Sequence, residues 1–197
     1  MVISMVIGVT GGVGSGKSTV MSLLKDDYRA KILVADELGH QAMQPGEKPY
    51  SDICTAFGKE VVLADGQIDR MRLAGIIYDD EQKRKQLNDM IHPYVMQKIR
   101  EQLAEWQEEP LVAIETAIMF ESGCDNFCDK IWYVKADKDV RISRLMESRG
   151  YTKEKAESIM AAQISEEEGC RRCDACIENN GSIKKIAVRL QELLDIS

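Results

Sequence analysis

Nowhere in this 197-residue chain is there an uninterrupted apolar run of the roughly 20 residues a membrane-spanning helix needs, so no such segment is expected. Positive charge is also short. The 26 Lys and Arg stand against 33 Asp and Glu, and the formal net charge of -7 argues against general affinity for nucleic acid or an anionic membrane. A polyphosphate ligand stays compatible with that balance, because screening over about 8 Å lets a local cluster of Lys and Arg govern its own pocket. Internal repeats and low-complexity linkers are missing too. The length suits one well-buried core with a small inserted region, not two full domains. The apolar N-terminal run lacks a basic leader and a small-residue cleavage site, so it is expected to be a core strand of a cytoplasmic protein.

Of the six cysteines, Cys170, Cys173 and Cys176 have two-residue gaps, and Cys124 and Cys128 have a three-residue gap. Both spacings resemble metal-ligand spacing. The fourth cysteine of a ferredoxin-type run is absent. In a reducing compartment the expectation is buried or incidental thiols, with a zinc or iron-sulfur site as the alternative.

What is present is concentrated between Gly11 and Thr19. Gly11 through Ser18 fits G-x-x-x-x-G-K-[ST], the phosphate-binding loop. A triphosphate must be ringed by backbone N–H donors, so the chain curls tightly, and glycines allow it. Gly12, Val13, Gly14, Ser15, Gly16, Lys17, Ser18 and Thr19 are therefore the expected ATP-binding residues. The following helix adds its unpaired N–H groups and partial positive charge. Lys17 is expected on the β- and γ-phosphates and the Ser18 hydroxyl on a bridging Mg2+. The context is the required one: Met5 to Val9 reads as a buried strand, and Val20, Leu23 and Leu24 mark a helix beginning at Lys17 and ending near Lys25.

Further apolar runs give strands at Lys31–Ala35, Leu111–Ile114, Lys130–Val134 and Ala175–Ile177. Helices are expected at 38–43, over most of 50–109 with one starting at Pro93, and at 139–147, 153–163 and 183–194. Ile99, Leu103 and Trp106 mark a buried helical face. Strands that are apolar throughout and alternate with helices predict an α/β fold, a parallel sheet covered by helices. The carboxyl ends of such strands share one edge, where ligands bind. The phosphate loop, Asp36 and Glu115 each follow a strand and are expected to converge there.

A GTP switch requires a γ-phosphate sensor and a guanine reader. Asp36-Glu37-Leu38-Gly39 has the spacing of D-x-x-G but directly follows the second strand, and Val134-Lys135-Ala136-Asp137 lacks the Asn of N-K-x-D. A kinase requires a carboxylate for the acceptor hydroxyl and cations around the transferred group. Asp36 is the candidate base, with a helix cap as its alternative. Glu115 is the candidate Mg2+ carboxylate, with capping or a surface location as alternatives. Arg141, Arg144, Arg149, Arg171 and Arg172 follow the fourth strand in a segment suited to a lid, and one or two of them are expected to act. Arg144 and Arg149 are taken as the catalytic pair.

At this point the sequence resembles the dephospho-CoA kinase family from Val6 to about Leu194. The resemblance lies in Ile7 to Ser18, Ala35-Asp36, Asp65 to Arg70, Ile91-His92-Pro93, Met119-Phe120-Glu121, Ala161-Ala162-Gln163 and Ile177-Glu178-Asn179-Asn180-Gly181. It implies a single P-loop kinase domain over 5–196, with a helical CoA-side insertion at about 45–109 and a lid at about 138–172. The implied reaction is transfer of the ATP γ-phosphate to the 3′-hydroxyl of dephospho-CoA. The family's base falls on Asp36, with His40, Arg70 and His92 on the substrate side and Asn179 and Asn180 at the adenine. The implied partner is that small-molecule substrate alone, bound by a monomer or small homo-oligomer. Another small-molecule or nucleoside-monophosphate kinase is the alternative within the class. The sequence departs from the family at Val34, where a second aspartate is common, at Ala117, where proline is usual, and at Ser148-Arg149-Gly150, where the lid often reads Arg-Asp-Gly.

Overall fold

The computed structural model describes residues 5–195, so Ile196, the last residue of the expected domain span, lies outside the described residues. Two compact units are present. One contains the chain up to Leu33 and from Trp106 onward, and the other contains Val34–Glu105.

The sheet is made of β1 (Met5–Thr10), β2 (Lys31–Val34, whose last residue opens the second unit), β3 (Leu111–Glu115), β4 (Lys130–Lys135) and β5 (Ala175–Glu178) in the order β2-β3-β1-β4-β5. β1 pairs in parallel with β3 and β4, and β4 with β5. The apolar runs of the sequence become these strands because both sheet faces are covered. On one face Ile7, Val9, Ala113, Trp132, Val134 and Ile177 pack against Val20, Met21 and Leu24 of α1 (Lys17–Tyr28) and Ile186 and Leu190 of α9 (Ile183–Asp195). On the other, Gly8 lies against Met119 and Cys128, and Gly169 lies against the Tyr133 ring. Aspartates set the strand ends: Asp129 Oδ2 accepts from the Val6 N–H and Asp174 Oδ2 from the Ile131 N–H, both at 2.7 Å.

α1 runs three residues past the expected stop at Lys25. Tyr28 packs against the core, and the left-handed Arg29 (φ 57°) then ends the helix. After β4 come α6 (Lys138–Arg149), α7 (Lys153–Ala161) and α8 (Glu166–Arg172). α8 was not foreseen, although its signal is legible. Ser165 and Glu168 have capping-box spacing, and Ser165 Oγ accepts from the Glu168 N–H at 3.1 Å.

The second unit is helical: α2 (Ala35–Ala42), α3 (Lys48–Phe57), α4 (Arg70–Tyr78) and α5 (Glu81–Glu105). Ile53, Phe57, Val61, Ile68, Leu73 and Leu87 form its core. The helix expected to start at Pro93 instead passes through it, so His92 lies inside α5 and not at a helix boundary. An internal proline costs about 3 kcal/mol through a lost hydrogen bond and a ring clash. Leu87 before it and Val95 and Ile99 after it are all buried. At roughly 1.5–3 kcal/mol per buried apolar side chain, that packing outweighs the break. Of the expected face after Pro93 only Ile99 is fully enclosed; Leu103 and Trp106 are partly exposed.

The expectation of buried or incidental thiols is corrected at one place. Cys170, in α8, and Cys176, in β5, have Cα atoms 5.7 Å apart and form a disulfide, while Cys54, Cys124, Cys128 and Cys173 are free. Burial, followed by Cys124 and Asp125, pushes the Cys128 thiol up to about 12, which makes it an unreactive core group.

Candidate active site

The loop between β1 and α1 is built at the carboxyl edge of the sheet. The register pairs Val9 with Glu115 and Lys135 with Glu178, so the loop, the end of β3 and the end of β5 face the same way. Gly16 caps α1 in the left-handed region (φ 86°), and a Cβ there would run into the Asn179 amide. Glycine is required on both counts. Lys17 lies back across the loop and donates from Nζ to the Gly11 carbonyl at 2.9 Å. Ser15 Oγ is enclosed within the loop without a hydrogen-bond partner in the structure.

Over the loop is a cavity of about 540 Å³ lined by Gly14, Gly16, Lys17, Ser18, Thr19, Glu115, Arg144 and Arg149, with Leu145, Glu147 and Ser148 also from α6. The expected phosphate-binding lysine, both lid arginines, the hydroxyl and the carboxylate thus share one space. Three cations face two carboxylates. The field in the cavity favours a polyanion, and Ser18 with Glu115 offers the hard oxygen donors that suit Mg2+.

The structure also holds the loop from behind in ways the sequence had not suggested. Arg141 is 6% exposed, and a guanidinium so enclosed must be paired. Its Nε donates to the Val13 carbonyl at 2.9 Å, Nη1 to Glu166 Oε1 at 3.0 Å and Nη2 to Gln163 Oε1 at 3.3 Å. Gln163 Oε1 also accepts from the Val13 N–H at 2.8 Å. Both backbone polar groups of Val13 are therefore engaged, by the side chains of Arg141 and Gln163. Arg141 and Arg144 stand one turn apart on α6, and that spacing was the available signal.

Asn179 sits on the loop. It is 3% exposed, its Nδ2 donates to the Ser15 carbonyl at 2.9 Å and to the Gly16 carbonyl at 3.4 Å, and its Oδ1 accepts from Arg144. Asn180 is exposed, accepts from the Asp137 N–H at 2.8 Å and donates to Glu178 Oε1.

The remaining expected residues belong to the helical unit. Asp36 is in the first turn of α2 and His40 in its last; four residues apart, they share one exposed face. Arg70 opens α4 and is exposed, and His92 is half-buried in α5. Burial lowers the His92 pKa below 6.5, partly offset by the Asp89 charge, so the ring is neutral at pH 7.

A phosphate loop at the edge of a parallel sheet, closed by its own lysine and overlaid by an arginine-bearing helix, is the construction of the P-loop kinases. A shikimate kinase structure from Bacteroides thetaiotaomicron shares the fold, with a TM-score of 0.53 at 15% identity over 97% of this chain and 98% of that one. The chain belongs to the dephospho-CoA kinase family: the family model described as dephospho-CoA kinase (CoaE) matches residues 5–185. A dephospho-CoA kinase of Oceanobacillus iheyensis is 37% identical over 193 residues, covering 97% of this chain and 96% of that protein. A Thermus thermophilus crystal structure aligns with a TM-score of 0.86 at 31% identity, covering 98% of this chain and 97% of that one.

Proposed function

We infer that this protein transfers the γ-phosphoryl group of ATP to the 3′-hydroxyl of the ribose of dephospho-CoA, giving coenzyme A and ADP. The observation that carries this reading is the single cavity in which Lys17, Ser18, Glu115, Arg144 and Arg149 meet over the glycine loop of a dephospho-CoA kinase family member.

In this reading the loop N–H groups from Gly12 to Thr19 hold the phosphates. Lys17 and the α6 arginines offset charge on the equatorial oxygens as the phosphoryl group passes, so the protein's work is positioning and electrostatic stabilisation. Ser18 and Glu115 would hold Mg2+, which would supply charge neutralisation for the phosphates. Asp36 takes the proton of the acceptor hydroxyl, a role that suits an exposed carboxylate with a second group, His40, on the same helical face. Arg70 and a neutral His92 serve the acceptor by charge and hydrogen bonding. Asn180, next to the loop-holding Asn179, is the residue of that segment proposed to meet the adenine. In this reading the chain is one kinase domain, with the helices of about 45–109 as the CoA side and those of about 138–172 as the lid. The net charge of -7 supports the absence of nucleic-acid and anionic-membrane partners; a cytoplasmic location and a monomer or small homo-oligomer are proposed with it.

Phosphorus NMR of the product formed from Mg-ATP and dephospho-CoA tests the reading. A new ribose 3′-phosphomonoester supports it, and phosphate at any other position rejects it.

A further inference from the structure

The disulfide joins the two elements that hold the phosphate loop. Cys170 is near the end of α8, whose first residue, Glu166, pairs with Arg141 and so steadies Arg141 on the Val13 carbonyl. Cys176 is in β5, which runs directly into Asn179 and its hold on Ser15 and Gly16. α8 has only 7 residues, too few for independent stability, so its place depends on tertiary anchors. Those anchors are Gly169 against the Tyr133 ring, the Arg172 guanidinium 3.9 Å over the Phe120 ring, and the bridge itself. Cys176 is partly exposed and lines a cavity of about 380 Å³ together with Glu178, Ser182 and Lys185, a space large enough for a small thiol. Cys173, between the pair in sequence, is partly buried. Its thiol is pushed up to about 11, by burial first and by Asp174 second, so it stays protonated at neutral pH and does not compete as a nucleophile.

We propose that Cys170–Cys176 is a reversible redox modification site whose state sets how firmly the phosphate loop is held, and with it the affinity for Mg-ATP. The proposal rests on the nucleotide-binding reading above. In a reducing compartment a disulfide is a transient, redox-sensing group, which is the role assigned here. The reductant is a dithiol. One of its thiolates attacks Cys176 Sγ, the Cys170–Cys176 bond breaks, and Cys170 leaves as a thiolate that takes up a proton. The second thiolate then displaces Cys176, which is protonated in turn, and the reductant closes its own disulfide. Two electrons and two protons pass to the protein. Release of α8 loosens Glu166 and therefore Arg141 at Val13.

The test uses full-length protein, oxidised or reduced with dithiothreitol, its thiol state assigned by peptide mapping and its Mg-ATP Kd measured by calorimetry. Reduction is expected to raise Kd roughly three- to ten-fold, the size of one weakened charge-assisted hydrogen bond. Cys170→Ser is expected to bind like the reduced protein under either condition, and Cys173→Ser to keep the redox difference. Glu166→Ala is expected to remove the difference, since the link to Arg141 is gone. Equal affinities of the mapped oxidised and reduced forms, no bridge in the oxidised protein, or a full redox difference in Glu166→Ala would each overturn the proposal while leaving the kinase reading intact. No Mg-ATP binding in either state would overturn both.

Discussion

Arg144 and Asn179 hold each other across the phosphate loop. Arg144 Nη2 donates to the Asn179 carbonyl at 3.0 Å and to its Oδ1 at 3.2 Å, while Arg144 Nη1 reaches the Ser15 carbonyl at 3.2 Å and Asn179 Nδ2 the same carbonyl at 2.9 Å. Ser15 is thus the point where α6, the end of β5 and the loop meet. Asn179 is a positioning residue in this arrangement, because it fixes both the loop backbone and the arginine above it.

Asn179→Ala removes a buried donor from two loop carbonyls and an acceptor from Arg144. Stability is expected to fall by about 1–3 kcal/mol in urea titrations. The Mg-ATP Kd should rise about ten-fold. Unchanged affinity in a destabilised variant would mean that the amide serves the fold alone.

Lys17→Ala deletes the cation that spans the loop. A drop of at least about 10²-fold in kcat/KM for ATP is expected, as for loss of one transition-state charge donor. Steady-state kinetics with ATP varied is the measurement, and wild-type kinetics would contradict the loop reading.

Asp36→Asn separates chemistry from nucleotide binding. Loss of the base is expected to lower kcat about 10²- to 10⁴-fold while the Mg-ATP Kd stays within about two-fold of wild type. Comparable turnover would remove Asp36 from the mechanism.

These expectations draw on residues of unequal legibility in the sequence. The five strands and the loop were readable because buried parallel strands are continuous apolar runs and the phosphate loop has a fixed spacing. The passage of α5 through Pro93 was not, since the packing of Leu87, Val95 and Ile99 that carries it is tertiary. Arg141 looked like any solvated helix arginine until the fold enclosed it against Val13, Gln163 and Glu166. Asn179 was legible as important only through resemblance. The chemistry of an Asn-Asn-Gly segment does not say which amide turns inward to the loop.

His92 gives a pH dependence. Its folded pKa is lowered by burial, so between that value and 6.5 the unfolded chain binds more protons than the folded one. This contribution to stability is full above pH 6.5 and declines as pH falls through that window. Urea titrations from pH 7.5 downward should show it, and His92→Gln should flatten the slope. An unchanged slope in that variant would assign the dependence to other groups.

The central claim, ATP-dependent phosphorylation of dephospho-CoA, is tested most directly by ADP release from Mg-ATP with dephospho-CoA, AMP, gluconate or no acceptor. The account predicts turnover with dephospho-CoA at a rate far above the other three. Preferred turnover with AMP or gluconate would retain the phosphate-loop chemistry and contradict the substrate; acceptor-independent hydrolysis alone would contradict the kinase assignment itself.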